Sequence, residues 1–332
     1  MRRNVEKSLA FFIVLLLTFP LYSQKKLGQT GFQFLSVVSD ARGGSMADAM
    51  TALELGSRGL FFNPAGMSRM WESGKVFDVV VSKNYWIGGI EHNSMSMSFC
   101  PFGGRYGVIG LSVLSVDYGE VEGTLVWGND KGYIDTEVMR PSAFAVGLGY
   151  ARSLTDKFSV GGQVKYTGQQ LGRSIVPVMG GWEVKKNLAY AVAFDFGTLY
   201  RTGWRSLVFG MSVRNFSNEI KYEEEGFQLP LTFRIGISMD LLDLVYEEHG
   251  SSGLVVSIDA VHPRSYPEQL NIGMEYRMFG MLYLRCGYYT NSDEKDMVYG
   301  MGINVYGIGI DYAYTPYGVF DNVQRFSVTF SF

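Results

Sequence analysis

The sequence predicts an all-β fold: a fourteen-stranded antiparallel β-barrel that spans a membrane. Three observations lead there. The first is strict alternation, as in "RFSVTFSF" (325–332), where Phe326, Val328, Phe330 and Phe332 fall on one face and Arg325, Ser327, Thr329 and Ser331 on the other. The second is composition: 41 glycines, 15% aromatic residues, and only 18% charged residues against about 25% in ordinary soluble chains. The third is an export signal with no later stretch long and apolar enough for a membrane helix. A closed barrel is then the remaining way to span lipid, because every backbone N–H and C=O must find its partner inside the structure.

The chain starts "MRRNVEKSLAFFIVLLLTFPLYSQKK". Arg2, Arg3 and Lys7 form a positive head, Leu9 to Leu17 an apolar run, and Pro20 to Ser23 a breaker. Residues 1–23 are read as a signal peptide cut after Ser23. The apolar run is short for a membrane anchor, and no cysteine follows the cut, which argues against a lipoprotein. A formal net charge of −3 offers no basis for a nucleic-acid partner.

Residues 24–73 do not alternate. Ser45 is expected to cap a short helix running to about Leu55 and ended by Gly56. Asn63, Pro64, Ala65 and Gly66 form a turn, with Pro64 fixing its own backbone angle and Gly66 permitting a positive one.

From residue 74 to 332 the period is two. Strands are expected at 75–86, 92–101, 106–118, 140–152, 157–170, 188–201, 206–216, 230–242, 252–262, 268–278, 281–290, 296–304, 306–316 and 323–332. "LTFRIGISMDL" (231–241), "QLNIGMEYRM" (269–278) and "GIGIDYAYT" (307–315) each carry one large apolar face. Their other face mixes glycine, hydroxyls and charge. In a membrane barrel the apolar face meets lipid and the mixed face lines the lumen. Connections after even strands are mostly short and those after odd strands mostly long, as for periplasmic turns and outer loops. A propeller would repeat at a fixed period of roughly 40 to 50 residues, and no such repeat is present.

"GFQFL", "DARGGSMADA" and "GLFFNPAG" resemble the start of the PorV/PorQ family of outer-membrane proteins, relatives of the FadL long-chain fatty acid transporters. The resemblance continues in "LSVDYGEVEGT", "LTDKFSVGGQVKYTGQQLG", "LPLTFRIGIS" and "DYAYTPYGVFDNVQRFSVTFSF" and covers nearly the whole mature chain. It implies a fourteen-stranded barrel with residues 24–73 folded inside as a partly helical hatch. It also implies that Asn63, Pro64, Ala65 and Gly66 are the hatch motif, and that Phe332 is a terminal aromatic signal for barrel-assembly machinery. Where the family shows Met-Gly-Gly-Ala, this chain has Met46, Ala47, Asp48 and Ala49. PorV-like members serve type IX secretion, meeting a translocon and cargo; FadL-like relatives pass hydrophobic molecules inward.

The lumen face is expected to carry Lys165, Asp195, Arg214, Arg234, Asp240, Asp259, Glu275, Arg277, Arg285 and Asp311. Charges of both signs on neighbouring strands can pair, so a network gripping the hatch is preferred over an ion path. Two outer loops are apolar. One holds Leu125, Val126, Trp127 and Tyr133; the other holds Ile175, Val176, Pro177, Val178, Met179 and Trp182. Exposed apolar clusters mark contact surfaces, which makes these loops candidates for partner binding; mutual packing over the lumen is the alternative. "KYEEEG" (221–226) lacks the spaced pattern of a calcium loop. Cys100 is expected to point inward and Cys286 to lipid, so both should be free thiols. His92, His249 and His262 are too scattered for a metal site or a catalytic triad, and no nucleophile elbow, phosphate loop or zinc motif is present. No enzyme activity, cofactor or metal is expected, and outer-membrane lipid is the expected surrounding. Two functions remain: protein docking in secretion, which the sequence favours, and a channel for hydrophobic small molecules. A lumen crossed by paired charges under apolar loops would favour docking. An apolar pocket continuous from loops to hatch would favour the channel.

Overall fold

A computed structural model describes residues 29–179, 181–222, 225–246, 250–292 and 295–332, with the backbone alone at 177 and 178. The predicted signal peptide (1–23), hatch residues 24–28, His249 and part of the 221–226 segment lie outside the described residues.

The strands are β1 (Phe77–Tyr85), β2 (Glu91–Phe99), β3 (Val108–Asp117), β4 (Ser142–Ser153), β5 (Phe158–Val178), β6 (Gly181–Arg201) and β7 (Val208–Ser217), then β8 (Thr232–Asp240), β9 (Gly253–Pro263), β10 (Gln269–Met278), β11 (Leu282–Tyr289), β12 (Met297–Val305), β13 (Ile308–Thr315) and β14 (Val323–Ser331). Each pairs antiparallel with its neighbours, and β1 pairs with both β2 and β14. The ring is therefore closed and has no free edge, the condition for spanning lipid with strands. The Phe332 N–H donates to the Phe77 carbonyl at 2.8 Å, extending the β1–β14 seam to the periplasmic rim.

The alternation has its predicted meaning. On β14, Phe326 and Phe330 face outward and are exposed, while Ser327 and Thr329 are buried in the lumen. Val164, Phe196, Ile235, Met301 and Ile310 likewise face outward. Phe144, Tyr166 and Tyr190 cluster on the outer surface near the loop end, with Tyr166 and Tyr190 stacked at 5.7 Å. Aromatic residues favour this level at the lipid–water boundary.

Two connections differ from the sequence reading. Residues 171–187 are not a loop: β5 and β6 continue to Val178 and Gly181, paired throughout apart from a bulge between Gln170 and Gly172. The β-branched run Ile175–Val176 opposite Val184–Glu183 suits a continued strand pair. The 119–139 connection also contains a hairpin, Val121–Val126 against Tyr133–Met139.

The hatch descends the lumen. At the top, Thr30 bridges Gln228 in the outer connection between β7 and β8. At the bottom, the Trp71 ring lies over Gly104 in the periplasmic turn after β2, and Gly74 leads into β1. The helix position is a correction. It spans Ala41–Ser45 and is capped by Asp40, whose carboxylate accepts the Gly43 N–H at 2.7 Å. Ser45 ends it, its hydroxyl donating to the Arg42 carbonyl at 2.9 Å. Ala47 and Asp48 then take positive φ values of 50° and 61°, which break a helix.

Hatch and wall fit because the wall omits side chains where the hatch touches it. A Cβ on Gly197 would lie 1.8 Å from the Asn63 carboxamide oxygen, and one on Gly161 2.5 Å from the Ala65 nitrogen. Gly210 faces Thr51, and Gly273 and Gly287 face Met46 and Ala47, equally closely. Larger side chains close the gaps elsewhere. Phe32, Phe34 and Leu35 pack on Leu114, Val116, Ala143 and Ala145, and Leu60, Met67 and Met70 pack on Cys100, Val108 and Ala151.

Candidate functional site

The lumen has two levels, and β10 shows both. Asn271, toward the outer end, pairs in register with Tyr289; Glu275, nearer the periplasm, pairs with Arg285. The lower level is a chain of ion pairs. Arg58 of the hatch bridges Asp40 and Asp311, with the latter contact at 2.6 Å. Asp311 continues to Arg285 at 2.7 Å, Arg285 to Glu275 at 2.5 Å, and Glu275 to Arg42 at 2.8 Å. Arg42 and Asp40 flank one turn of the hatch helix, so the charges alternate around a ring that starts and ends on the hatch. Burying such groups is tolerable only when each is paired and hydrogen-bonded.

Further ties hold the hatch elsewhere. Asp48 pairs with Arg234, which also donates to the Asp48 carbonyl at 2.9 Å. Asp259 accepts the N–H groups of Met50 and Thr51 at 3.1 and 3.0 Å. Asp78 accepts the Ser57 N–H at 2.7 Å. Asn63 is fully buried; its amide donates to the carbonyls of Thr51 (2.7 Å) and Thr198 (3.1 Å), and its oxygen accepts from Ala65 N–H. Pro64 opens a short 3-10 turn, where its missing N–H is not needed. Ala65 is buried, and the Gly66 carbonyl accepts the Leu55 N–H at 3.0 Å. At the periplasmic rim Arg201 reaches Glu54 and Glu72, each at 2.7 Å. Burial pushes the Glu72 carboxyl up, but hydrogen bonds from Arg201 and Arg69 outweigh it and hold the group below the usual carboxylate range.

Of the predicted lumen charges, Glu275, Arg285 and Asp311 meet in the ring, and Arg234 and Asp259 hold the hatch. Lys165 pairs with Asp195 at 2.8 Å. Arg214 lies apart, at the floor of the pocket described below. Asp240 and Arg277 sit at the periplasmic strand ends, where the Asp240 carboxylate accepts the Leu242 and Leu254 N–H groups and caps the turn after β8. Sequence reasoning missed the hatch side of the network: Asp40, Arg42, Asp48 and Arg58. Their signal was charge in an otherwise apolar segment that cannot reach water.

The upper level is a pocket of about 660 Å³ between the outer connections and the hatch. Phe32, Val38, Trp86, Tyr289 and Tyr317 supply apolar wall, while Asp48, Arg234 and Asn271 belong to its floor. Trp86 meets Tyr317 edge-on at 5.2 Å, and Arg325 lies over Trp86 at 5.5 Å. Gln169 of the lining accepts a hydrogen bond at 3.1 Å from the hydroxyl of Tyr222, whose ring stacks on Phe227. Burial pushes the Tyr222 phenol up to about 12, so it stays neutral.

The apolar outer residues do not line this pocket. Leu125 is half-buried in the 121–139 hairpin, and Val126, Trp127 and Tyr133 are exposed there. Ile175 is half-buried and Val176, Met179 and Trp182 are exposed on the β5–β6 extension. The side chains of Pro177 and Val178 lie outside the described residues. The two hairpins touch where Arg173 approaches Glu137 at 3.7 Å. Cys100 and Cys286 are free thiols.

Fold and pocket together define an outer-membrane type of barrel with an internal hatch. The structure is similar to the toluene transporter TodX of Pseudomonas putida, with a TM-score of 0.56, 13% identity, and 89% of this chain and 98% of that one covered. A Pseudomonas aeruginosa FadL homologue matches with a TM-score of 0.52, 13% identity and the same coverage. At such identity the likeness establishes the fold. No known protein-family profile matches the chain, and no curated protein matches it in sequence.

Proposed function

We propose that this barrel is a channel for hydrophobic small molecules, which it captures from outside in the pocket above the hatch. The observation that carries the reading is the pocket itself: about 660 Å³, open between the outer connections and floored by the hatch. Ligand sites are typically concave, largely apolar and of this size. The paired charges do not oppose it, because the ring lies below the pocket and serves to seat the hatch. TodX, of similar fold, is described as a toluene transporter and a monoaromatic hydrocarbon channel. The test is binding and uptake of naphthalene by the full barrel in nanodiscs and proteoliposomes. Leu231→Trp, which fills the pocket, should abolish saturable binding, and Ile235→Trp on the lipid face should not. Equal binding and uptake by both variants would sink the reading.

Docking of a secretion partner, as in type IX systems, is the second reading. It is favoured by the exposed Val126, Trp127, Met179 and Trp182 on hairpins beyond the barrel wall. A pull-down from native outer membrane that recovers a translocon or signal-bearing cargo, and loses it when these four become serine, would support it.

A further inference from the structure

The pocket floor carries a cation, Arg214, in no contact ion pair among the described residues. Arg214 lies on β7 beside a bulge, where the Asn215 N–H donates to Asp195 at 2.7 Å. Among the described residues its guanidinium makes no hydrogen bond and no ion pair, and its Nε is buried. Two acids lie close enough to attract it, Asp195 and Asp48; each is ion-paired elsewhere, Asp195 with Lys165 and Asp48 with Arg234, and each keeps one buried oxygen without a hydrogen bond. Asn271, also of the floor, is buried, and its carboxamide oxygen accepts no hydrogen bond. Of the described lining residues, Arg214, Arg234, Arg264 and Lys295 are cationic, and Asp48 is the one carboxylate.

The Arg214 guanidinium is half-buried at the pocket, and stripping it of its remaining water is costly without a close counter-charge. A neutral hydrocarbon filling the pocket would raise that cost, whereas a carboxylate would remove it through two parallel N–H···O bonds. The orphaned oxygen of Asn271 asks for a donor, such as a ligand hydroxyl. The walls interleave rings and amides, as in Trp86, Tyr317, Gln169 and Gln269, with aliphatic side chains such as Leu35, Ile90 and Leu231. Resting on the channel reading, we infer that the pocket selects a compact, ring-containing hydroxy-carboxylate, with its acid on Arg214 and its hydroxyl on Asn271.

The test uses the full barrel in nanodiscs and follows the fluorescence anisotropy of 6-hydroxy-2-naphthoic acid. Its primary amide, 2-naphthoic acid, dodecanoate and naphthalene serve as comparisons. The hydroxy-acid should bind about tenfold or more tightly than its amide, the scale of a hydrogen bond to a charged group. Arg214→Gln should erase that ratio while leaving amide binding, and Arg214→Lys should keep part of it. Asn271→Leu should erase the preference for the hydroxylated acid over 2-naphthoic acid. Equal binding of acid and amide, a ratio that survives Arg214→Gln, or dodecanoate binding as tightly as the ring acid would overturn the inference. Saturable naphthalene binding alongside any of these leaves the channel reading standing; absence of all binding removes both.

Discussion

Arg58 of the hatch lies 2.6 Å from Asp311 on β13, and the same guanidinium reaches back to Asp40. One side chain thus joins two segments more than 250 residues apart. Removing the Asp311 charge takes one of two carboxylate partners from each of two buried guanidinium groups, leaving Arg58 with Asp40 and Arg285 with Glu275. Asp311→Asn should destabilise the barrel by about 3–5 kcal/mol, the usual cost of breaking a buried pair. The measurement is the urea midpoint of heat-modifiable gel mobility. A shift no larger than that of a lipid-face control would show that the ring does not hold the hatch.

Gly197 should not tolerate a methyl group. Its Cβ would fall 1.8 Å from the Asn63 oxygen, and Asn63 is fixed by bonds to Thr51 and Thr198. Gly197→Ala should cost about 1–3 kcal/mol, as overpacking does, and expose the hatch to protease. With Asn63→Ala added, the loss should be smaller than the sum of the two single losses, because the clash and the lost bonds share one contact. Additive losses would contradict the fit.

The wall was legible in the sequence because its code is local. A period of two needs only neighbours, so "LTFRIGISMDL" shows both faces of β8 by itself. The hatch was not, since its stability is set by partners far along the chain. Ser45 looked like a cap, yet Asp40 holds that role, and Asp40 is fixed in turn by Arg58. The β5–β6 extension was missed for a similar reason. An alternating run with no lipid-length limit continues past the membrane, and polar residues such as Lys185 and Lys186 disguise it. Parity alone places Arg214 on the lumen face, but its lack of a contact ion pair shows only once the partners of its neighbours are known.

Acid should loosen the periplasmic end first. The Glu72 pKa lies lower in the folded state than its ordinary value of 4.5. The folded barrel therefore binds fewer protons there, and the contribution of Glu72 is complete above that value. It is lost as pH falls through the lower, folded pKa. Glu72 is partly exposed, so the effect should be below about 1 kcal/mol. Comparing wild type with Glu72→Gln between pH 6 and pH 3 checks it: the difference in stability should shrink toward acid. A constant difference would mean that the Arg201 and Arg69 contacts do not shift this carboxyl.

The two thiols report separately on hatch and wall. Cys100 is buried under Leu60, Met67 and Met70 of the hatch, and Cys286 sits on the outward face of β11 with Leu284 and Tyr288. A charged maleimide should spare Cys100 in the intact barrel, since the packed hatch leaves no room for it. An apolar maleimide partitioned into the surrounding lipid should label Cys286 alone. Asp311→Asn or Gly197→Ala should then raise Cys100 labelling while leaving Cys286 unchanged, because only the hatch has been loosened. Mass spectrometry after timed labelling gives both rates in one experiment. Rapid Cys100 labelling in the wild type would mean that the hatch opens readily by itself, and the ion-pair ring would lose its role as the fastening.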